Sequence, residues 1–367
     1  MIYLTFNDLP SGIFQSQVLD KLDFWSKKYN QKVLLICFIS GKHFFSNRNK
    51  IKKLNSTAIV LPMFPRLKNW KLNSFLLFLL ILFLNEKLII CRGVFACGLG
   101  LRLKKRKSHL TVIYDGRGAF YEELSEYNII KDEKLLNEIK ETEKKCVLNS
   151  DYNYAVSKAL IRYWHEKFMY SSRNYSVIPC LPAKHFYKAI NENIIKSIRE
   201  KLHFSEKDIV IIFSSGGGEW QSWKLLKDFF TYQKKQCSNL KLLILSKPNP
   251  TIKELQKEFP DSVLNFFVSP DEVVNYIMAS DYGFLIREDT ITNRVASPVK
   301  FAEYLMGGLQ ILISPHLGDY SDLVDKYSLG MVCPSIQQNI VWQRTSLDKK
   351  KQIRNAAEHY FSVDRFF

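Results

Sequence analysis

Short apolar runs alternate along the chain with longer segments whose apolar residues recur at helical spacing. Most of the short runs are continuously apolar, which is typical of parallel strands covered on both faces. The pattern predicts strands at residues 2–6, 33–39, 58–61, 87–91, 110–114, 153–156, 175–178, 209–214, 241–246, 262–268, 282–286 and 309–313. Helices fit between them, for example over 133–149 and 219–235. This alternation, repeated twice, predicts an α/β fold with two Rossmann-like, doubly wound domains.

The length of the chain indicates two domains, and its prolines and polar segments indicate where they divide. With 367 residues, the chain is too long for one typical hydrophobic core. Pro179 and Pro182 end the first half, and a polar segment then leads into the next apolar strand. We therefore expect an N-terminal domain over 1–185, a C-terminal domain over 186–345 and a final helical segment over 346–367.

The most apolar segment, residues 72–84, reads LNSFLLFLLILFL. It is shorter than the roughly 20 residues that a membrane-spanning helix needs. One interpretation is a helix buried in the core, and another is a helix that leans into a membrane interface. The N-terminal stretch lacks the basic region of a signal peptide, so we expect a cytoplasmic protein.

The composition favours an anionic partner. The formal net charge is +17, and such a field attracts phosphates of nucleotides, nucleic acids and lipids. A nucleic-acid partner is disfavoured, because the sequence contains no recognition module. An anionic membrane surface agrees better with the clustered basic residues at 104–107. The seven cysteines are scattered without a CxxC pair, and the sequence has no DxD motif, so we expect no metal site.

A glycine-rich turn follows the first strand of the second half. The segment FSSGGGEWQSWKLL, residues 213–226, ends a strand, passes through three glycines and begins a helix. Glycines allow backbone N–H groups to approach a phosphate, and a helix N-terminus favours its negative charge. Gly216 and Gly217 are therefore candidate phosphate-binding positions. The alternative is that these glycines only allow a tight turn between the strand and the helix.

Charged residues also follow strand 282–286. Arg287 stands at the carboxyl end of this strand, where a guanidinium group can hold diphosphate oxygens. A surface ion pair with Glu288 or Asp289 is the alternative. Lys300 and Glu303 then open a short helix that ends at a Gly-Gly step before the next apolar strand.

The segment P-x-K-x-x-E-Y-L-x-x-G, residues 298–308, resembles the donor site of retaining glycosyltransferases of family 4. The resemblance implies the GT-B fold, in which two Rossmann-like domains face a central cleft and the last helix packs across it. It also implies that Glu303 holds the ribose of a sugar nucleotide and that Lys300 meets its phosphates. Val295 stands where the family has the first of two glutamates, so Asn293 or the backbone at 296–297 would contact the sugar instead.

The resemblance extends to other segments of the chain. It implies that Lys224 neutralises the departing diphosphate and that Gly12, in the loop PSGIFQSQV, lies near the donor phosphates. After strand 110–114 the family often has a histidine that touches the donor sugar, whereas this chain has Asp115 and Arg117. These two residues either orient the donor sugar or the acceptor, or form an internal ion pair in an Asp-Gly turn.

Taken together, the resemblance implies a hexosyl- or related glycosyltransferase of bacterial capsule or lipopolysaccharide synthesis. It would use a UDP- or GDP-linked sugar, no metal and no other cofactor. Its acceptor would be a surface glycan or a polyprenyl-diphosphate-linked glycan, at the inner face of the membrane. One alternative is a GT-B sugar-nucleotide epimerase, which is disfavoured because few histidines lie at positions where they could act on the sugar. Another is a catalytically degenerate transferase that serves as a scaffold of a glycan assembly complex, which the missing first glutamate favours.

Overall fold

The computed structural model describes residues 1–64, 67–84, 86–215 and 222–366. Contacts divide the chain into two compact units, Met1–Pro179 and Cys180–Phe366. Each unit is a parallel sheet with helices between successive strands, so the α/β prediction with two doubly wound domains is confirmed.

The first unit contains a sheet with the strand order β3-β2-β1-β4-β5-β6-β7. Its strands are β1 Ile2–Phe6, β2 Leu34–Ile39, β3 Ile59–Pro62, β4 Leu88–Arg92, β5 Thr111–Gly116, β6 Tyr152–Ala155 and β7 Tyr175–Val177. Its helices are α1 Gly12–Phe14, α2 Asp20–Tyr29, α3 Phe44–Leu54, α4 Asn73–Leu84, α5 Gly93–Lys104, α6 Phe120–Glu126, α7 Glu133–Asn149 and α8 Lys158–Phe168. A π-helical turn, Gln15–Leu19, joins α1 to α2, and a 3-10 turn, Leu67–Leu72, precedes α4.

The second unit contains a sheet with the strand order β10-β9-β8-β11-β12-β13. Its strands are β8 Ile209–Ser214, β9 Leu240–Leu245, β10 Val263–Phe266, β11 Tyr282–Leu285, β12 Gln310–Ile313 and β13 Gly330–Val332. Its helices are α9 Glu192–Lys201, α10 Trp223–Gln236, α11 Pro250–Glu258, α12 Pro270–Met278, α13 Ile291–Arg294, α14 Val299–Met306, α15 Tyr320–Tyr327 and α16 Leu347–Tyr360. The sequence pattern missed β13, whose three residues include a glycine.

The strand β8 shows why the apolar runs are continuous. Ile209, Ile211 and Phe213 face one hydrophobic cluster. Val210 and Ile212, which alternate with them, face a second cluster on the other side of the sheet. Because successive strand residues point to opposite faces, a strand that is covered on both sides must be apolar at every position.

The final helix, α16, packs in the core of the second unit. Ile353 and Ala357 are buried in the same cluster as Phe301 of α14. Arg354 donates hydrogen bonds to the carbonyl oxygens of Met306, at 2.7 Å, and Phe186, at 3.3 Å. These contacts fix the helix within its own unit, and the expected return of residues 346–367 to the first domain stays a prediction.

Candidate functional site

The second sheet reverses its direction of growth between β8 and β11. From β8 the chain proceeds to β9 and β10 on one side, whereas from β11 it proceeds to β12 and β13 on the other. In an open parallel sheet, the loops on either side of such a switch point diverge and leave a crevice at the carboxyl ends of the strands. Ser214 ends β8 and Arg287 follows β11, so both residues lie at this point.

A hollow that opens to solvent lies at this switch point. It is lined by Phe213, Ser214, Phe284, Leu285, Ile286, Arg287, Lys300 and Tyr304. Its two basic side chains come from different elements, since Arg287 follows β11 and Lys300 lies in the first turn of α14. Two cations that converge on one hollow favour an anionic ligand.

The loop after β11 orients Arg287. Its backbone N–H donates to Ser314 Oγ at 3.2 Å, and its Nη1 donates to Asn293 Oδ1 at 3.3 Å. Asn293 is buried and donates in turn to the Glu288 carbonyl oxygen at 3.0 Å. Asp289 forms a two-point ion pair with Arg294, with N–O distances of 2.6 and 2.7 Å. Asp289 thus engages Arg294, and the Asn293 amide oxygen is one hydrogen-bond acceptor of the Arg287 guanidinium group.

Lys300 and Glu303, for which the family resemblance implies contacts with the phosphates and the ribose, contact each other. Lys300 Nζ lies 2.7 Å from Glu303 Oε2 across one helical turn. The Glu303 side chain is 9% exposed and that of Lys300 is 22% exposed. Lys300 therefore lies between a nearly buried carboxylate and the hollow, and the carboxylate fixes where the ammonium group points.

Tyr304 forms the inner wall of the hollow. Its hydroxyl group accepts a hydrogen bond from the Ser214 N–H at 2.9 Å. Burial raises the pKa of Tyr304, so the hydroxyl group stays neutral at physiological pH. Sequence reasoning missed Tyr304 and Ser314, because their contacts join segments that are distant along the chain. It named Asn293 only as a possible sugar contact, whereas in the structure the Asn293 side chain accepts a hydrogen bond from Arg287.

Gly283 of β11 allows Tyr304 to approach. A Cβ atom at position 283 would lie 2.3 Å from a ring atom of Tyr304. Gly283→Ala is therefore expected to displace the ring from Ser214 and to lower the free energy of unfolding by about 1–3 kcal/mol. Urea denaturation measures the loss. Gly41→Ala is the matched control, since a Cβ atom there meets nothing within 4 Å; equal stability of both variants would contradict the packing role.

The glycine turn after β8 extends beyond the described residues, which resume at Ser222. Gly216 and Gly217 thus lie outside the part of the chain that the structure describes. Ser222, the residue before α10, accepts a hydrogen bond through Oγ from the Glu288 N–H at 3.4 Å, which links the start of α10 to the loop after β11. Lys224 is exposed in the first turn of α10. Among the described residues, those that line the hollow do not include Lys224.

Family 4 glycosyltransferases have the first of two glutamates at the position of Val295, and this chain has no polar side chain there. Val295 is buried, with 4% of its surface exposed. Ser297 Oγ accepts from the Cys180 N–H at 2.9 Å and lies 2.7 Å from the Tyr320 hydroxyl oxygen. Asn293 and the backbone at 296–297 were the expected substitutes for this glutamate. The Ser297 side chain makes structural contacts within the unit, and the Asn293 side chain accepts a hydrogen bond from Arg287.

The first sheet has its own switch point, between β1 and β4. Asp8 follows β1, and its carboxylate oxygen Oδ1 lies 3.4 Å from Nε of Arg92, the last residue of β4. Gly12 opens α1, where Ser11 caps the helix through a hydrogen bond from the Phe14 N–H. Gly12 is exposed, and a Cβ atom there would meet nothing within 4 Å. The first loop thus leaves open space beside Gly12.

Asp115 and Arg117 lie beside this switch point, at the end of β5. The buried Asp115 carboxylate accepts a hydrogen bond from the Tyr3 hydroxyl at 2.8 Å and lies 3.3 Å from Arg117 Nη1. Arg117 Nη2 donates to Gln17 Oε1 at 2.9 Å. The structure therefore brings Asp115 and Arg117 together as an ion pair in a larger polar cluster, which the Asp-Gly turn alone did not reveal.

The electrostatics of this cluster keep Asp115 ionised. Burial opposes its charge, but the positive charges of Lys21, Arg117 and Arg92, together with the Tyr3 hydrogen bond, lower its pKa to about 2. At neutral pH one carboxylate thus faces three basic side chains. The cluster is net positive even when the neighbouring Asp8 is included, and its partly exposed basic members are Arg92 and Arg117.

In the described part of the chain, no group of three or more histidine, cysteine or acidic residues could hold a metal ion. The cysteines are free thiols.

Comparison with solved structures identifies the fold. A glycosyltransferase from Rickettsia africae ESF-5 matches with a TM-score of 0.69 and 13% identity, over 100% of this chain and 94% of its own. HepE from Anabaena, solved in complex with UDP, matches with a TM-score of 0.71 and 15% identity, over 100% and 96%. WaaG, a glycosyltransferase involved in lipopolysaccharide biosynthesis, matches with a TM-score of 0.66 and 11% identity, over 98% and 95%. The chain has the GT-B fold.

Identities at this level show the fold alone. No protein-family model matches the sequence, and a search of curated proteins finds no match. The GT-B prediction is thus confirmed by architecture, and the roles of individual residues depend on the site itself.

Proposed function

We propose that this GT-B protein transfers a sugar from a nucleotide diphosphate sugar to an acceptor hydroxyl group. The observation that carries the proposal is the convergence of Arg287 and Lys300 on the hollow at the β8–β11 switch point. Solved proteins of the same fold include HepE in complex with UDP-glucose, at 14% identity and a TM-score of 0.68. A UDP- or GDP-linked sugar is accordingly the proposed donor.

The proposed chemistry follows from the charges at the hollow. Cleavage of the anomeric C–O bond places negative charge on the departing diphosphate, and cations held beforehand lower the barrier. Arg287 and Lys300 supply those cations, and the glycine turn at 216–217 and Lys224 are the proposed additional phosphate contacts. Glu303 is proposed to accept hydrogen bonds from the ribose hydroxyl groups. Ribose binding would use the carboxylate oxygens of Glu303 while Lys300 remains in contact.

In the first unit, the charged cluster around Asp115 supports a second group of assignments. Asp115 and Arg117 are proposed to orient the donor sugar or the acceptor, and Gly12 in the first loop is proposed to lie near the donor phosphates. The excess of basic residues around one carboxylate is suited to an acceptor that carries phosphate, such as a polyprenyl-diphosphate-linked glycan. We propose transfer with retention of anomeric configuration, in surface-glycan synthesis at the inner face of a bacterial membrane.

Incubation of the purified protein with radiolabelled UDP- and GDP-sugars, with and without a lipid-linked acceptor, tests this proposal. Acceptor-dependent transfer of label is the expected result. Conversion of the sugar nucleotide without an acceptor would instead indicate an epimerase, and the absence of both reactions would indicate a non-catalytic scaffold.

Activity is expected to persist in EDTA, because Arg287 and Lys300 can supply positive charge to the diphosphate. The initial rate of transfer is measured before and after chelation, and again after Mn²⁺ or Mg²⁺ is added. Complete loss in EDTA that only a divalent cation restores would contradict the metal-independent mechanism.

A further inference from the structure

The helix α4 is apolar around its whole circumference, yet only one side of it is covered. Asn73, Leu77 and Ile81 are buried and follow one another at four-residue spacing. The opposite side carries exposed large hydrophobic side chains. They are Phe75 (57% exposed), Leu79 (40%), Leu82 (49%) and Phe83 (86%), together with Leu72 (53%) from the preceding turn. Of the two interpretations of residues 72–84, a helix buried in the core is therefore wrong for the exposed side of α4.

A solvated helix face is ordinarily polar. Contiguous exposed apolar side chains on a protein surface mark a site of interaction with a protein or a membrane. We name the surface formed by Leu72, Phe75, Leu79, Leu82 and Phe83 the α4 apolar face.

The first unit holds this helix firmly in place. Asn73 Oδ1 accepts from the Phe64 N–H at 2.9 Å, and its Nδ2 donates to the Trp70 carbonyl oxygen at 2.8 Å. Trp70 is buried against Phe95, with ring centroids 5.4 Å apart, and donates through Nε1 to Glu138 at 2.8 Å. The apolar face is thus displayed on a fixed scaffold.

These anchors also decide between lying on a membrane and crossing one. Residues 67–84 are long and apolar enough to resemble a membrane span by composition. However, the α-helical part has 12 residues, which at 1.5 Å per residue cover about 18 Å of the roughly 30 Å hydrocarbon layer. A spanning orientation would also extract Trp70, Asn73, Leu77 and Ile81 from the core.

Basic residues line one flank of the α4 apolar face. The Arg106 guanidinium group lies 5.1 Å from the centre of the Phe78 ring. Lys107 Nζ donates to the Ile81 carbonyl oxygen at 3.0 Å, and Arg102 Nε lies 3.5 Å from Ser74 Oγ. Lys105 is exposed in the same turn. Neither 67–84 nor 93–110 contains an acidic residue.

We propose that the α4 apolar face docks on an anionic membrane surface. In this orientation Phe75, Leu79, Leu82 and Phe83 enter the boundary between headgroups and acyl chains, while Arg102, Lys105 and Arg106 contact anionic headgroups. An interfacial helix with a basic flank binds through both contributions, apolar burial and charge attraction. The charge complementarity selects an anionic lipid surface over a second copy of this chain, because a two-fold contact would place two basic flanks on one shared face.

Vesicle flotation tests the proposal without sugar nucleotide or acceptor, so that its outcome is independent of the proposed enzymatic activity. The full-length protein is expected to float with vesicles of phosphatidylcholine and phosphatidylglycerol in equal amounts, and much less with phosphatidylcholine alone. The double variant Phe75→Ser/Phe83→Ser is expected to lose binding to both. The matched control Phe45→Ser/Phe267→Ser removes two other exposed phenylalanines (78% and 70% exposed) and is expected to bind as the wild type does.

The charge contribution is tested by Arg102→Gln/Lys105→Gln/Arg106→Gln. This variant is expected to lose about fivefold in affinity for anionic vesicles per charge removed, and to bind neutral vesicles unchanged. Its matched control is Lys50→Gln/Lys53→Gln/Lys253→Gln, at three exposed lysines elsewhere. Circular dichroism and thermal melting check that each variant is folded.

The proposal is overturned if wild-type protein binds neither kind of vesicle, or if the α4 and control variants bind equally. It is also overturned if sedimentation velocity shows a dimer that Phe75→Ser/Phe83→Ser converts to a monomer while vesicle binding is unchanged. A tryptophan introduced as Phe83→Trp adds a direct readout. Its fluorescence is expected to be quenched by brominated acyl chains in anionic vesicles, and absence of quenching in the bound protein would place another surface against the membrane.

Discussion

Replacement of Arg287 with alanine is expected to lower the rate of sugar transfer by about 10²–10³-fold, with the fold retained. The guanidinium group lines the hollow at the switch point and is oriented by Asn293 and Ser314. A cation held in place before reaction stabilises the charge that grows on the diphosphate, and alanine supplies none. Initial rates of acceptor-dependent transfer, measured at saturating donor, give the effect on the chemical step.

Arg294→Ala is the matched control for this experiment. Arg294 lies seven positions further along the same loop region, is 55% exposed and pairs with Asp289. Its removal changes the net charge by the same amount and is expected to leave the rate within about twofold, since exposed ion pairs contribute little. Similar losses in both variants would show that general charge, and not the position of Arg287, supports the reaction.

Replacement of Asp115 with asparagine is expected to destabilise the first unit by about 2 kcal/mol at neutral pH. The pKa of Asp115 is lowered from 3.8 to about 2, so folding favours the ionised form. Asparagine removes the negative charge and leaves Lys21, Arg92 and Arg117 facing one another. Urea unfolding, followed by hydrogen exchange of the β5 amides, reports the opening of this unit.

The pH dependence of the stability difference between wild type and Asp115→Asn tests whether the destabilisation is electrostatic. Because the folded pKa of Asp115 is depressed, its stabilisation is fully present above the unfolded value near 4 and is lost as the pH falls to about 2. Wild type and Asp115→Asn are therefore expected to converge in stability over this window. Glu141→Gln, at an exposed carboxylate, is the control. A difference that stays constant from pH 7 to pH 2 would contradict the charge-based explanation.

The apolar runs predicted the fold because each strand of a doubly wound sheet is covered on both faces. Every strand expected from the sequence is present, for example β8 at Ile209–Ser214 and β11 at Tyr282–Leu285. The glycine-containing β13 carried too little of this pattern to be recognised. The helix expected at 219–235 runs from Trp223 to Gln236.

Side-chain contacts were harder to predict, because they depend on which segments the fold brings together. The positions of Arg287 and Lys300 at a strand end and a helix start were readable, since both follow local rules. The hydrogen bond from the Ser214 N–H to the Tyr304 hydroxyl group joins two elements that are far apart in the sequence, so the local pattern could not reveal it. The exposure of Phe83 could not be read from an apolar sequence, because burial depends on what packs against the helix.

The most direct test of the account is a crystal structure of the protein soaked with UDP and, separately, GDP. The account predicts diphosphate density within hydrogen-bonding distance of Arg287 and Lys300, beside the carboxyl ends of β8 and β11, with the ribose at Glu303. A nucleotide bound elsewhere in the second unit, or density at neither cation in crystals that hold the ligand, would contradict it.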